Sequence, residues 1–285
     1  MLQLRKASRK QARLRIGVSA ASGFGKTYGA LLIAYGITGD WAKIAVIDSE
    51  SGSAELYSDL GEFNALQLAA PFTPERYVEA IRACEQAGME VIVIDSISHE
   101  WEGSGGCLEI SDELAKQKYR GNSFQAWSEV SPRHQAFVDA ILRSSAHVIT
   151  TQRRKQAYEL GTNDRGKTTV TKAGTKEIAR DGFEYELTVN LEITNEHHLA
   201  KASKDRTRLF MGQPEFVIGV ETGQKLKAWA DTGIDPLAEA VKAMEAASDM
   251  DTLKSIWKAN QQFATAPSFV QAKDNAKARL EAVAA

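Results

Sequence analysis

Residues 14–27 read LRIGVSAASGFGKT, an apolar strand followed by a glycine-rich turn and a lysine–threonine pair. The spacing from Ala20 to Thr27 matches the pattern G-x-x-x-x-G-K-[ST], except that Ala20 replaces the first glycine. The residues that follow have the composition of a helix, so the turn joins a strand to a helix N-terminus. Backbone N–H groups in such a turn can surround phosphate oxygens. The stretch therefore predicts a phosphate-binding loop (P-loop) within an α/β fold.

The side chains of this loop indicate how a nucleotide would be held. Lys26 carries the positive charge expected at the β- and γ-phosphates of ATP, and the Thr27 hydroxyl is expected to bind Mg²⁺. Asp95 ends the apolar run VIVID at 91–95, where a carboxylate can hold the same Mg²⁺. Together the two motifs predict that ATP is bound and hydrolysed. The predicted nucleotide contacts are Ala21, Ser22, Gly23, Phe24, Gly25, Lys26, Thr27 and Tyr28.

The rhythm of the chain predicts the fold around the loop. Apolar strands alternate with helical stretches through the first half of the sequence. Strands are expected at 14–19, 43–48, 91–95 and 147–151, and helices at 26–37, 74–87 and 124–144. Pro132 is expected to break or start the last of these helices. The alternation indicates an α/β fold with a doubly wound, mostly parallel sheet, and 186–194 with 198–203 should add an antiparallel extension.

Three segments are expected along the chain. A basic N-terminal segment at 1–13 precedes an ATPase core at 14–232, and a small helical module follows at 236–285. The linker is marked by GIDP at 233–236. Within the module, amphipathic helices are expected at 237–247, 252–262 and 268–282.

Composition excludes several classes of protein. The formal net charge is −2, so a nucleic-acid surface would have to be local. Two cysteines, Cys84 and Cys107, cannot form a disulfide framework or pairs of C-x-x-C zinc ligands, which fits a reducing cytoplasm. The longest apolar runs are far too short to cross a bilayer. The stretch HEWEG at 99–103 begins like a zincin helix but has no second histidine, so no metal site is predicted there.

A long polar segment at 153–180 is expected to be a functional or mobile loop. It carries more basic than acidic residues, a local excess that suits phosphate neutralisation, although a solvated loop is the alternative. The glycine-rich SGG at 104–106 is expected to be a flexible loop beside the nucleotide. The predicted contacts with single-stranded DNA are Arg153, Arg154, Lys155, Arg165, Lys167 and Lys172.

The position of one glutamate separates classes of P-loop ATPase. Many AAA-type ATPases carry their catalytic glutamate directly after the aspartate that corresponds to Asp95, but here Ser96 follows it. A glutamate instead follows the preceding strand, in IDSE at 47–50. With VIVIDS at 91–96, VITTQR at 148–153 and KDR at 204–206, this segment resembles RecA-like recombinases. The chain looks most like the phage RecA-like proteins of the single-strand-annealing group.

The resemblance implies roles for further residues. Glu50 would be the catalytic base, Gln152 would sense the γ-phosphate, and Tyr57 would stack on adenine. Ala54 stands where that family has an acidic adenine contact, which leaves the base selectivity open. Lys204 and Arg206 would form a finger that reaches the ATP of a neighbouring subunit. The resemblance also implies a homo-oligomer, either a filament or a ring. It implies a phage protein in the cytoplasm of a bacterial host.

Simpler readings remain for these residues, and three functions compete. Asp48 and Glu50 could be solvated carboxylates at a strand end, Gln152 a strand cap, and Tyr57 a core residue. Lys204 with Arg206 could be a surface pair. The first function is an ATP-dependent recombinase on single-stranded DNA, and the second is a helicase-like ring motor. The third is a nucleotide-gated scaffold whose C-terminal module recruits a single-strand-binding or replication protein.

Overall fold

The computed structural model describes residues 12–162, 168–233 and 236–284. Residues 13–228 form one compact unit, and the chain from Trp229 onward belongs to a second. Most of the basic N-terminal segment, and two of the predicted DNA contacts, Arg165 and Lys167, lie outside the described residues. No helix in the described ranges is long and apolar enough to cross a membrane.

A single large sheet forms the first unit. Its strands are β1 Arg15–Ala20, β2 Ile44–Asp48, β3 Asn64–Gln67, β4 Val91–Asp95, β5 His147–Thr162, β6 Thr168–Glu177, β7 Val189–Ile193, β8 Leu199–Asp205 and β9 Phe216–Val217. They are ordered β3-β2-β4-β5-β1-β7-β8-β9, and β6 pairs with β5. The six neighbouring strands β3, β2, β4, β5, β1 and β7 pair parallel with one another. β8 pairs antiparallel with β7, β9 with β8, and β6 with β5. The predicted RecA-like, doubly wound sheet with an antiparallel extension is confirmed.

Helices accompany the sheet and continue through the second unit. They are α1 Lys26–Thr38, α2 Pro74–Gln86, α3 Ser98–Glu102, α4 Cys107–Gln117, α5 Ser123–Arg143, α6 Val220–Asp231, α7 Pro236–Glu245, α8 Met250–Ala259 and α9 Pro267–Ala284. Every residue of β1, β2 and β4 is buried, as expected when both faces of a parallel sheet are covered. One core cluster joins Ile92 and Ile94 of β4 to Tyr77 of α2 and Phe137 of α5.

A pair of glycines allows α1 and α6 to lie close together. A Cβ at Gly36 would meet the Val220 carbonyl oxygen at 2.1 Å, and one at Gly223 would meet the Ile33 carbonyl oxygen at 2.2 Å. Both distances are shorter than any real contact of a Cβ atom, so a side chain at either position would push the helices apart. α1 begins at the P-loop, and this close contact with α6 also holds the C-terminal part of α1 in place.

Several sequence predictions were wrong in the first unit. Pro132 lies inside α5, which continues unbroken because buried residues on both sides of it keep one helix face packed. The polar segment at 153–180 is not an irregular loop, because 154–162 of β5 and 168–177 of β6 pair as a two-stranded ribbon, the β5–β6 ribbon. Its sequence is largely polar and rich in threonine, so it has strand propensity without a clear apolar period. His198 ends the turn before β8, with a φ of +59°, rather than lying on the strand.

The glycine-rich stretch at 104–106 is packed between two helices that the sequence did not predict. Phe72 donates its backbone N–H to the Ser104 carbonyl at 2.7 Å, and Gly106 donates to Gly103 at 2.8 Å. A Cβ at Gly106 would meet the Glu100 carbonyl oxygen at 2.7 Å. These glycines serve close packing between α3 and α4 rather than an open loop.

Between 236 and 284, the described residues form α7, α8 and α9, close to the predicted positions. Their core contains Met244 of α7, Leu253 of α8 and Phe269 of α9. Trp257 stacks on Phe269 with ring centroids 5.2 Å apart. The aromatic residues of this module are thus used in packing its own helices.

Candidate functional site

The P-loop lies between the end of β1 and the start of α1. Gly23 has a φ of +82° and Gly25 a φ of +86°, a region that other residues seldom adopt. Gly25 caps α1 without a side chain, so the first N–H groups of the helix face the loop. Lys26 is buried, and its Nζ donates to the Ala21 carbonyl at 3.1 Å. The predicted strand–loop–helix arrangement for binding phosphate is present.

A buried corner of oxygen atoms adjoins the loop. Thr27 Oγ1 donates to Asp95 Oδ2 at 2.6 Å, and Thr151 Oγ1 donates to Asp95 Oδ1 at 2.5 Å. Burial raises the pKa of Asp95 above its usual value, and the two hydroxyl groups oppose that rise. A hydroxyl and a carboxylate are ligands that Mg²⁺ prefers, and the cation would offset the cost of the buried charge. Thr27 and Asp95 therefore fit the predicted Mg²⁺ site.

Thr151 was missed by the sequence reading. It belongs to β5, which lies beside β4 in the parallel sheet and pairs Ile94 with Thr150. That register sets Thr151 next to Asp95. The signal that could have found it is the polar pair at 150–151 in an otherwise apolar strand.

Glu50 is held by an arginine from the base of the β5–β6 ribbon. Arg153 Nε lies 2.8 Å from Glu50 Oε1, and the Glu50 side chain is 20% exposed. Burial favours a raised pKa for Glu50, but the hydrogen bond and charge of Arg153 outweigh it and the pKa lies below its usual value. Burial also lowers the pKa of Lys26, an effect opposed by the charges of Glu50 and Asp95. These four residues form one interacting charge cluster.

Asp48 has a structural role in the same corner. It is buried, and its carboxylate accepts the backbone N–H of Glu50 at 2.6 Å and that of Ala54 at 3.0 Å. The reading of Asp48 as a solvated carboxylate was wrong, because these two bonds fold the segment after β2 back on itself. The segment carries Glu50 towards Arg153 and Tyr57 towards the P-loop.

A cavity of about 320 Å³ opens beside the P-loop glycines. Tyr28 and Tyr57 both line it, with ring centroids 5.7 Å apart. His198 also lines it, and its Nδ1 donates to the Phe24 carbonyl at 3.0 Å. The remaining walls are Gly23, Gly25, Gly29, Ile193, Val217 and Ile218. Aromatic and aliphatic walls next to a phosphate loop suit a nucleobase and ribose. His198, Ile193, Val217 and Ile218 were not predicted.

Gln152 is not part of this cluster. Successive side chains of a strand point to opposite faces, so Gln152 faces away from the side on which Thr151 meets Asp95. Its Nε2 donates to Thr150 Oγ1 at 2.7 Å, and its buried Oε1 has no hydrogen-bond partner among the described residues. A role for Gln152 at the γ-phosphate remains a prediction.

Lys204 and Arg206 are set back from the P-loop of their own chain. Both donate to the Tyr185 carbonyl oxygen, Arg206 at 2.8 Å. Lys204 pairs with Asn190 of β7, which in turn pairs with Gly17, three residues before the end of β1. The two cations lie together, and none of their described contacts is with the P-loop.

The predicted DNA contacts have varied surroundings. Arg154 is largely buried and forms ion pairs with Glu177 at 3.2 Å and Glu192 at 3.3 Å. Lys155 is half-exposed and pairs with Glu102 at 2.7 Å. The backbone of Lys172 lies on β6, but its side chain is not among those that the structure describes.

A family model described as AAA domain matches residues 12–228. The chain belongs to this AAA domain family. Its P-loop, oxygen corner and mostly parallel sheet are those of a P-loop ATPase domain, which binds and hydrolyses ATP, usually with Mg²⁺. No curated protein matches the chain significantly. Ser96 follows Asp95 in this AAA domain, and Glu50 is the glutamate of the charge cluster with Lys26, Asp95 and Arg153.

Tyr57→Ala should weaken ATP binding about 10-fold, because stacking of aromatic rings contributes roughly 0.5–1.5 kcal/mol beyond the area they bury. Tyr57→Phe, which keeps the ring, should bind ATP like the wild type. Isothermal titration calorimetry on both variants measures the difference. Equal affinity of the wild type and Tyr57→Ala would remove Tyr57 from the base cavity.

Proposed function

We propose that this chain is an ATP-dependent recombinase that binds single-stranded DNA, promotes annealing or strand exchange, and hydrolyses ATP between its own subunits. The observation that carries the proposal is the course of β5. The strand contributes Thr151 and Arg153 to the ATP site, then continues into the β5–β6 ribbon, whose pairing shifts in register between Gln156 and Tyr158. At about 3.3 Å per residue, the part from Thr151 to Thr162 extends roughly 35 Å.

The charge of the ribbon supports contact with a polyanion. Between 153 and 180 the sequence has eight lysine and arginine residues against three acidic ones, Glu159, Asp164 and Glu177. In a chain with a net charge of −2, this is a local concentration of positive charge. Binding through phosphate contacts of this kind weakens steeply as salt rises. The proposed contacts are Arg153, Arg154 and Lys155 at the base of the ribbon, Lys172 on β6, and Arg165 and Lys167, which lie outside the described residues.

Arg153 links the ribbon to hydrolysis. While it is paired with Glu50, the carboxylate is stabilised as an anion and is a weak base for water. A DNA phosphate that competes for Arg153 would leave Glu50 without this partner, and burial would then raise its pKa. A more basic and unpaired Glu50 orients and polarises water better. Single-stranded DNA would in this way stimulate ATP hydrolysis.

The ATP site would be completed by a second copy of the chain. Lys204 and Arg206 are close together and away from their own P-loop, so they are available to the γ-phosphate bound by a neighbour. Such sharing requires a filament or a ring. The C-terminal helices would then serve as a docking module for a single-strand-binding or replication protein, and the setting would be the cytoplasm of a phage-infected bacterium. Gln152 is proposed as a γ-phosphate sensor in this assembly.

Arg153→Gln should raise ATP turnover measured without DNA and reduce the further stimulation by single-stranded DNA. The amide cannot hold the Glu50 carboxylate by charge, so Glu50 is released from the start. Lys155→Gln is the matched control, because Lys155 pairs with Glu102 rather than Glu50. It should weaken DNA binding and leave turnover without DNA unchanged. The coupling would be disproved if Arg153→Gln kept the wild-type rate and full stimulation.

A strand-annealing and strand-exchange assay with labelled oligonucleotides tests the function itself. We expect joined products with ATP and none with Lys26→Ala, which loses the charge at the phosphates. Unwinding of a forked duplex without annealing would replace the proposal by a ring motor. Absence of DNA binding, together with negligible turnover, would replace it by a nucleotide-gated scaffold.

A further inference from the structure

Three helices next to the ATP site bring three different metal-binding side chains together. They are Glu100 of α3, Cys107 of α4 and His134 of α5, which are 1%, 0% and 5% exposed. Cys107 Sγ donates to Glu100 Oε1 at 3.0 Å, and His134 Nδ1 donates to the same oxygen at 3.0 Å. The thiol sulfur and the imidazole nitrogen are 4.0 Å apart. Glu100 and Cys107 are seven residues apart, but His134 lies 27 residues beyond Cys107, so the complete cluster is produced by the tertiary fold.

The distances in this cluster fit a tetrahedral metal ion. Zn²⁺ binds sulfur at about 2.3 Å and imidazole nitrogen or carboxylate oxygen at about 2.0–2.1 Å, which separates neighbouring ligand atoms by roughly 3.3–3.6 Å. The observed separations, from 3.0 to 4.0 Å, lie on both sides of that range. All three donor atoms lie within 4.8 Å of one another. Small side-chain movements would bring them to a common ion.

Charge gives a second reason for a cation here. A buried carboxylate is costly unless it is paired, and the hydrogen-bond partners of Glu100 in the described residues are Cys107 and His134. Arg133, the arginine adjacent in sequence to His134, makes a two-point contact with Glu75 at 2.7 and 2.9 Å. A divalent cation with one carboxylate, one thiolate and one neutral imidazole makes a neutral group.

We propose that Glu100, Cys107 and His134 bind one thiophilic divalent cation of the Zn²⁺ class, which fastens α3, α4 and α5 together. Thiolate and imidazole ligands distinguish this site from the all-oxygen corner at Thr27 and Asp95, which suits Mg²⁺. Binding replaces the thiol proton of Cys107, which leaves to solvent, and His134 binds through Nδ1 as the neutral tautomer that carries its proton on Nε2.

The surroundings of the cluster give the ion a route of entry and connect the cluster to β5. His134 lines a cavity of about 460 Å³, through which the ion and a water ligand could enter. On the other side, Ser98 of α3 accepts the backbone N–H of Arg153 at 2.9 Å. The ion would therefore stabilise the helix that supports β5 where it passes the ATP site. The site goes beyond the proposed function and would be present whether or not the protein acts on DNA.

Cobalt titration of chelator-treated full-length protein tests the site directly. With excess Mg²⁺ and no nucleotide, we expect one Co²⁺ per chain and a thiolate-to-cobalt absorption band that added Zn²⁺ abolishes. Cys84→Ser is the matched control, because Cys84 is also a buried free cysteine but lies outside the cluster. It should keep the band. Cys107→Ser should lose it and should bind Zn²⁺ more weakly by at least the roughly 10- to 100-fold typical of outer-shell changes.

Circular dichroism of each variant separates loss of the site from loss of the fold. If Cys107→Ser does not fold, X-ray absorption of wild-type protein loaded with one equivalent of Zn²⁺ decides, with one sulfur ligand expected per ion. Failure of wild-type protein to take up cobalt or zinc would overturn the proposal. So would a thiolate band that persists in folded Cys107→Ser, or zinc without a sulfur ligand.

Discussion

Replacing Arg206 with alanine should lower ATP turnover by about 10³-fold or more, the loss that follows removal of an arginine finger. The guanidinium would supply positive charge where the transferred phosphate spreads its negative charge, and it would supply it to the neighbouring subunit. ATP binding by the variant should be nearly unchanged, because its own P-loop is intact. Steady-state turnover with single-stranded DNA and direct ATP titration measure the two quantities.

Lys201→Ala is the control for this variant. It removes an exposed lysine from β8, the strand that ends one residue before Arg206, and should retain wild-type turnover. A second experiment asks whether the finger acts between subunits. Lys26→Ala and Arg206→Ala proteins, each inactive alone, should recover part of the activity when mixed, since some interfaces then join an intact P-loop to an intact finger. No recovery in a mixture shown to co-assemble would contradict the shared site, and full activity of Arg206→Ala would remove the finger.

Glu50→Gln should lower turnover by about 10²-fold or more while ATP remains bound, because the amide keeps the shape of the side chain but cannot act as a base. The low pKa of Glu50 means that it stays ionised well below neutral pH, so protonation of this residue should not limit the wild-type rate there. Pre-steady-state and steady-state turnover at saturating ATP measure the effect.

Glu55→Gln controls for the loss of a negative charge in the same segment, since Glu55 is exposed and should be dispensable. Asp95→Asn provides the opposing case. If Asp95→Asn stops hydrolysis and Glu50→Gln does not, the glutamate after β2 is not the base. The carboxylate of a residue elsewhere in the chain would then have to polarise the water.

Local sequence patterns predicted the centre of the fold well. β4 has the predicted bounds, and β1 and α1 lie within a residue of them, because each is a continuous apolar or helical run beside a recognisable turn. The β5–β6 ribbon was not predicted, because its sequence is largely polar and has no clear apolar alternation to indicate a strand. α4 was not predicted because the glycines before it indicated an open loop.

The residues of the candidate sites also fall into two groups, those that sequence motifs predicted and those that they did not. Lys26, Thr27 and Asp95 follow from motifs that are short in sequence, and their contacts agree with the motifs. Thr151, His198 and the cluster around Glu100 could not be found this way, since each depends on which strands and helices become neighbours. Cys107 is seven residues from Glu100 in sequence, but His134 reaches it only because α5 packs against α4. Tertiary pairing of this kind leaves no periodic mark on a single sequence.

ATP turnover with and without single-stranded DNA, measured over a salt series and accompanied by negative-stain images of the same mixtures, tests the central claim most directly. We expect turnover to rise and saturate with DNA, to lose that stimulation as salt increases, and to coincide with filaments or rings on the DNA. Equal turnover with and without DNA at low salt, from protein that remains unassembled, would contradict the account.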